Sequence, residues 1–169
     1  MSRAYLGIGS NLGDRLAYLQ LAVDILARVP GVTVAAVSPV YETDPVGGPA
    51  QDDFLNAVIA VDTSLDPSGL LLVAQAAERS ARRVREEHWG PRTLDVDILL
   101  FENVRQNDPE LMIPHPWMDE RAFVLAPLHD LDPALAMVPT AGWPGVRRAA
   151  LTLTMPGQDP PGGPVKVDA

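Results

Sequence analysis

The spacing of apolar and polar residues changes along this chain, and each change marks an element. Ala4 to Ile8 reads as a short buried strand, followed by the turn Gly9-Ser10-Asn11-Leu12-Gly13-Asp14, whose last residue is a good helix N-cap. Leu16, Leu19, Val23 and Leu26 then recur at helical spacing until Pro30-Gly31 stops the helix. Val32 to Tyr41 is rich in Val and Thr and predicts a second strand. Glu42 to Asp53 has no apolar period and carries Asp44-Pro45 and Gly47-Gly48-Pro49, the marks of a long binding loop. Phe54 to Val61 predicts a third strand, with Phe54, Asn56, Val58 and Ala60 on one face and Leu55, Ala57, Ile59 and Val61 on the other. Asp66-Pro67 opens a second helix outlined by Leu70, Val73, Ala74, Ala77, Ala81 and Val84.

A fourth strand begins at Asp95-Val96-Asp97-Ile98-Leu99-Leu100. Alternation puts Asp95 and Asp97 on one face, roughly 6–7 Å apart, and Val96, Ile98 and Leu100 on the other. Asn107-Asp108-Pro109 marks a turn, Leu111 to Pro116 an extended segment, Trp117 to Leu125 a short helix, and Asp132-Pro133 another turn. The order strand–helix–strand–strand–helix–strand is that of the split βαβ unit. It predicts an α+β fold with a ferredoxin-like βαββαβ core and a mixed or antiparallel sheet with helices packed on it. Residues 1–154 are expected to form one domain. The Pro/Gly-rich stretch 155–169 is expected to be disordered.

Composition narrows the class. The net charge of −9 argues against a nucleic-acid module, which needs a basic footprint. With no cysteine, thiolate nucleophiles and cysteine-ligated metals are excluded, and a cytoplasmic setting is expected. No apolar run reaches the length of a membrane span. The three histidines, His88, His115 and His129, lack metal-ligand spacing.

The paired aspartates therefore carry the chemistry. Two carboxylates on one rigid face, with neither Cys nor His beside them, suit Mg²⁺ held jointly with substrate phosphates. The charged end of the second helix (Glu78, Arg79, Arg82, Arg83, Arg85, Glu86, Glu87) reads either as a solvated face with i, i+4 pairs or as a phosphate-facing cluster leading to Arg92. Asn56, in a buried strand, is either tied to backbone or kept for a ligand. Gly7-Ile8-Gly9-Ser10-Asn11-Leu12-Gly13 imitates a dinucleotide loop, but its third glycine comes one residue late. A haloacid-dehalogenase-type phosphohydrolase also uses Asp-x-Asp, but there the pair ends the hydrophobic strand rather than opening it. A non-catalytic ferredoxin-like module would leave the convergence of carboxylates, arginines and aromatics unexplained.

Arg85…Trp89-Gly90-Pro91-Arg92-Thr93-Leu94-Asp95-Val96-Asp97-Ile98 resembles the signature of the 6-hydroxymethyl-7,8-dihydropterin pyrophosphokinase family. Gly9 to Gly13, Tyr41-Glu42-Thr43, Phe54-Leu55-Asn56-Ala57 and Pro114-His115-Pro116…Glu120-Arg121-Ala122-Phe123 extend the resemblance over about residues 4–133. It implies transfer of pyrophosphate from ATP to the pterin hydroxymethyl group in folate biosynthesis, with release of AMP. It also implies long mobile substrate loops on the ferredoxin-like fold, two Mg²⁺ on Asp95 and Asp97, and catalytic roles for Arg83, Arg92 and Asp97; with the charge and the apolar runs above, no nucleic-acid or membrane partner and a monomer are expected. ATP contacts implied are Glu78, Arg83, Arg85, Trp89, Arg92, Ile98, His115 and Arg121. The chain is one residue shorter than the family form between Arg85 and Trp89; Arg83 and Arg85 follow from placing that gap after Arg85, and Arg82 is the alternative if it lies elsewhere. Pterin contacts implied are Thr43, Pro45, Val46, Phe54, Asn56, Asp95 and Phe123, with Phe54 and Phe123 sandwiching the ring and Asn56 reading its polar edge.

Overall fold

The computed structural model describes residues 1–44, 52–84 and 93–158, apart from the side chains of residues 83 and 84. Its central feature is a six-stranded sheet, antiparallel at every pairing. Strands β1 (Ser2–Ser10) and β4 (Phe54–Thr63) form the centre, and β5 (Asp95–Phe101) pairs with the free side of β1. Beyond β4 lie β2 (Val32–Val37) and β3 (Tyr41–Thr43), and β8 (Val146–Arg148) pairs with β3 at the edge. A separate hairpin, β6 (Gln106–Asp108) and β7 (Leu111–Ile113), forms at the expected Asp108-Pro109 turn.

The two sheet faces are covered differently. Helices α1 (Arg15–Arg28) and α2 (Pro67–Val84) pack on one face over Leu6, Ile8, Leu55, Ile59, Val96 and Ile98. As predicted, the Asp14 side chain caps α1, accepting from Ala17 N–H at 3.1 Å. Leu19, Leu26, Ile59 and Leu70 are fully buried in this layer. Each such side chain contributes about 1.5–3 kcal/mol of burial free energy. Helix α3 (Ala122–Leu131), preceded by a 3₁₀ turn at Met118–Glu120, covers part of the other face over Val58 and Leu99. The rest of that face is the wall of a cavity.

Three expectations are corrected. The single strand Val32 to Tyr41 is two, because Pro39 cannot donate to the ladder; Ser38 fills the break, its hydroxyl accepting Val58 N–H at 2.8 Å. Leu100 does not lie with Val96 and Ile98. A register shift against β1, where Tyr5 pairs with Leu100 and Leu6 with Ile98, leaves Leu99 unpaired as a bulge and turns Leu100 toward the α3 layer. β8 was absent from the expected elements, since Val146-Arg147-Arg148 shows no alternation. Of the expected tail, Met155 packs against the helix-side core, and residues 159–169 lie outside the described residues.

Candidate active site

Alternation along three neighbouring strands brings the polar residues together. On β1 the even residues Leu6 and Ile8 enter the helix-side core, so Gly7 and Gly9 face the opposite way. Gly9 is flanked in register by Asn56 on β4 and Asp95 on β5, and Gly7 by Val58 and Asp97. Two strand spacings separate Asp95 from Asn56, about 10 Å, with only bare glycine backbone between them. The result is a trough whose floor is β1. Its cavity measures about 860 Å³ and is lined by Asp95, Asp97 and His115 at one end and by Phe54, Asn56, Thr43 and Val146 at the other. Arg121 and Phe123, at the start of α3, form its remaining side.

The glycines are part of the construction. A Cβ at Gly9 would stand 2.7 Å from Asn56 Oδ1, closer than such atoms pack. A Cβ at Gly7 would meet only the flexible end of Leu99, at 3.4 Å. Asn56 is buried, and its Nδ2 donates to Thr43 Oγ1 at 2.8 Å, which fixes the amide with its oxygen over Gly9. The amide thus keeps a second N–H and its oxygen for a partner, the complement of a heterocycle edge carrying both donors and acceptors.

His115 is held from two sides. Its backbone N–H donates to Leu99 O at 2.9 Å, and its ring Nδ1 accepts Trp117 N–H at 3.2 Å. Burial pushes the imidazole pKa below the ordinary value; nearby Asp97 pulls it upward and Arg121 pushes it down. With Nδ1 accepting from Trp117, the tautomer that fits carries its proton on Nε2. The Arg121 guanidinium lies 5.7 Å from the Phe123 ring centroid, within cation–π range.

Among the sequence-predicted residues, Asp95, Asp97, His115, Arg121, Thr43, Phe54, Asn56 and Phe123 meet in this one cavity. Glu78 sits half-buried on α2 and does not line it. The Ile98 side chain points into the helix-side core, because it alternates with Asp97; only its backbone is left for a nucleotide contact. The Arg83 side chain and residues Arg85, Trp89, Arg92, Pro45 and Val46 lie outside the described residues. Sequence reasoning missed Gly7, Gly9 and the wall of Pro144, Gly145 and Val146. The pattern Leu6-Gly7-Ile8-Gly9, apolar on one face and bare on the other, was the available signal for the glycines.

Among the described residues no cluster of three His, Cys, Asp or Glu could cage a metal. Asp95 is half-buried and Asp97 exposed to the trough. Two carboxylates opening onto space for a substrate fit Mg²⁺, which keeps water and shares phosphate oxygens, and do not fit a preformed all-protein site.

Carboxylates, a buried amide and two phenyl rings thus share one trough of an antiparallel α+β sheet, a set of groups suited to an enzyme acting on a phosphate-bearing substrate and a small heterocycle. The family model for 7,8-dihydro-6-hydroxymethylpterin-pyrophosphokinase (HPPK) matches residues 5–133. Over 137 residues the chain is 50% identical to 2-amino-4-hydroxy-6-hydroxymethyldihydropteridine pyrophosphokinase of Methylorubrum extorquens, covering 81% of this chain and 87% of that one. It is 50% identical over 128 residues to the Bacillus subtilis enzyme of the same name, covering 76% and 77% of the two chains. In fold it is similar to a wild-type Plasmodium falciparum HPPK-DHPS crystal structure, with TM-score 0.55 and 17% identity over 91% of this chain and 42% of that longer one. The chain belongs to the HPPK family, and its function is pyrophosphoryl transfer to hydroxymethyldihydropterin in folate biosynthesis.

Proposed function

We propose that the transfer runs from ATP, depends on two Mg²⁺ held by Asp95 and Asp97, and takes place along the β1 trough with the pterin over Gly9. The observation that carries this reading is the shared cavity: carboxylates at one end, Phe54, Asn56 and Phe123 at the other. When bound, the ions supply neutralisation of the triphosphate and of the entering and leaving oxygens.

The chain's own residues do the rest. Phe54 and Phe123 hold the pterin by stacking, worth about 0.5–1.5 kcal/mol per aromatic pair beyond burial. Asn56, pinned by Thr43, reads the ring's polar edge and rejects rings that would leave its amide unpaired. This fixes the hydroxymethyl oxygen toward Asp97. That oxygen attacks the β-phosphorus of ATP, the bridge from α- to β-phosphorus breaks, AMP leaves with the bridging oxygen, and the hydroxyl proton passes to Asp97. Neutral His115 offers its Nε2–H to the nucleotide, and Arg121 offers a fixed cation beside it. Arg83 and Arg92 are assigned to charge on the transferred group, with Glu78, Arg85, Trp89 and the Ile98 backbone as further nucleotide contacts. Pro45 and Val46 are assigned to the pterin edge.

The test is product identity. ATP, Mg²⁺ and 6-hydroxymethyl-7,8-dihydropterin should yield AMP and pterin diphosphate in equal amounts, and chelation of the metal should stop the reaction. ADP or free phosphate as the main product, or full turnover in excess chelator, would refute this reading.

A further inference from the structure

The wall of the trough farthest from Asp95 and Asp97 is built by a strand past residue 133, where the family match ends. β8 follows β3 along its length: Ala149 N–H donates to Val40 O at 2.9 Å, and Asp44 N–H donates to Gly145 O at 3.2 Å. Gly145 and Val146 thereby line the cavity beside Thr43. Arg147 alternates to the opposite face, in register with Glu42. There its guanidinium forks, one nitrogen 2.8 Å from Asp44 Oδ1 and the other 2.5 Å from Asp53 Oδ2. Asp44 directly follows Thr43, and Asp53 directly precedes Phe54. The Asp53 carbonyl is held as well, accepting from Arg15 at 2.7 Å, and the same Arg15 nitrogen lies 3.2 Å from Glu42 Oε1.

We propose that Arg147 is a positioning residue for the ring-binding end of the site: Thr43 and Phe54 are the last register pair of β3 and β4, and by bridging Asp44 and Asp53 just beyond them Arg147 keeps that strand end from fraying and so holds the Thr43 and Phe54 side chains in place for the ring. The proposal rests on the pterin reading given above. A planar two-pronged guanidinium can serve two carboxylates on different strands at once, which the point charge of lysine does not do with fixed geometry. The backbone pairing of β3 with β4 and with β8 does not need the side chain, so its loss loosens the strand end at the ring and leaves the sheet paired. Because both carboxylate contacts are solvent-exposed, the effect is modest and sensitive to salt.

Steady-state kinetics of the full chain and of Arg147→Ala, Arg147→Lys and Asn56→Ala test this. Arg147→Ala should raise the KM for 6-hydroxymethyl-7,8-dihydropterin about 3- to 10-fold, while KM for ATP and the melting temperature stay unchanged. Arg147→Lys should recover only part of the loss. Raising ionic strength should weaken pterin binding in the unaltered chain more than in Arg147→Ala. An unchanged pterin KM in Arg147→Ala, or equal rises in both KM values together with a lower melting temperature, overturns the positioning role. Asn56→Ala separates the two failures. If it raises the pterin KM and Arg147→Ala does not, only the role of Arg147 is wrong; if it leaves the pterin KM unchanged, the pterin reading falls and this proposal with it.

Discussion

The two faces of the sheet are built from the same strands and obey opposite rules. Toward α1 and α2, β1 presents Leu6 and Ile8, β4 presents Leu55, Ala57 and Ile59, and β5 presents Val96 and Ile98, a continuous apolar layer. One residue along each strand, the other face presents Gly7 and Gly9, Asn56, and Asp95 and Asp97. The first set is tightly packed and makes the strands rigid. The second is left partly uncovered by α3 and borrows that rigidity to aim its polar groups. On the proposed function, stability and catalysis occupy alternate positions of the same strands, and substitutions on the two faces should have separable consequences.

The largest effect is expected at Asp97. Asp97→Ala should lower turnover by on the order of 10²–10³-fold or more, since it removes charge stabilisation at the reacting centre. Because Asp97 is exposed to the trough, the melting temperature should hardly move. Appreciable activity in this variant would misplace the metal end.

Leu19→Ala is the converse. It opens a hole in the helix-side layer and should destabilise the fold by about 2–5 kcal/mol, read by denaturant unfolding. Below its melting point both KM values should be unchanged; a selective loss of pterin or ATP binding would show that the faces are not separable.

The glycines give a sharper contrast within one strand. Gly9→Ala drives a Cβ into Asn56 Oδ1, and an overpacked contact of that kind should weaken pterin binding about 10-fold. Gly7→Ala meets only the Leu99 methyls and should be much milder. Equal effects would remove Gly9 from its role as the ring's floor.

The smallest effect lies at the sheet end away from the trough. Arg3 hydrogen-bonds Asp62 at 2.7 Å and holds its carboxyl below the usual carboxylate range. A lowered folded-state pKa means the unfolded chain takes up the proton first on acidification, so this contribution is complete above the ordinary Asp value and lost as pH falls through the folded one. Asp62→Asn should flatten the acid limb of the stability curve slightly without changing turnover at neutral pH.

Most of this architecture was legible because its elements have strong periods. β1, α1, β4, α2 and β5 each repeat with a clear spacing, and Asp14 and Asp66-Pro67 punctuate them. What stayed hidden depended on distant pairing. β8 is three residues with no pattern, and it becomes a strand only because Tyr41, in register with Arg148, offers an edge. Leu100 changed faces because the bulge at Leu99 resets the alternation, which no local signal announces. In the site, alternation alone placed Asp95 with Asp97 and Phe54 with Asn56. His115, Arg121 and Phe123 come from a connection and a helix start, so spacing could not bring them to the same cavity; the resemblance to a family did.

Counting bound metal tests the central claim most directly. With Mn²⁺ in place of Mg²⁺ and a non-hydrolysable ATP analogue, spectroscopic titration of the unaltered chain should find two ions per chain. Asp97→Ala and Asp95→Ala should each bind fewer, while both still bind the pterin ring through Asn56. Two ions retained in both variants would contradict the placement of the metal site at the mouth of the β1 trough.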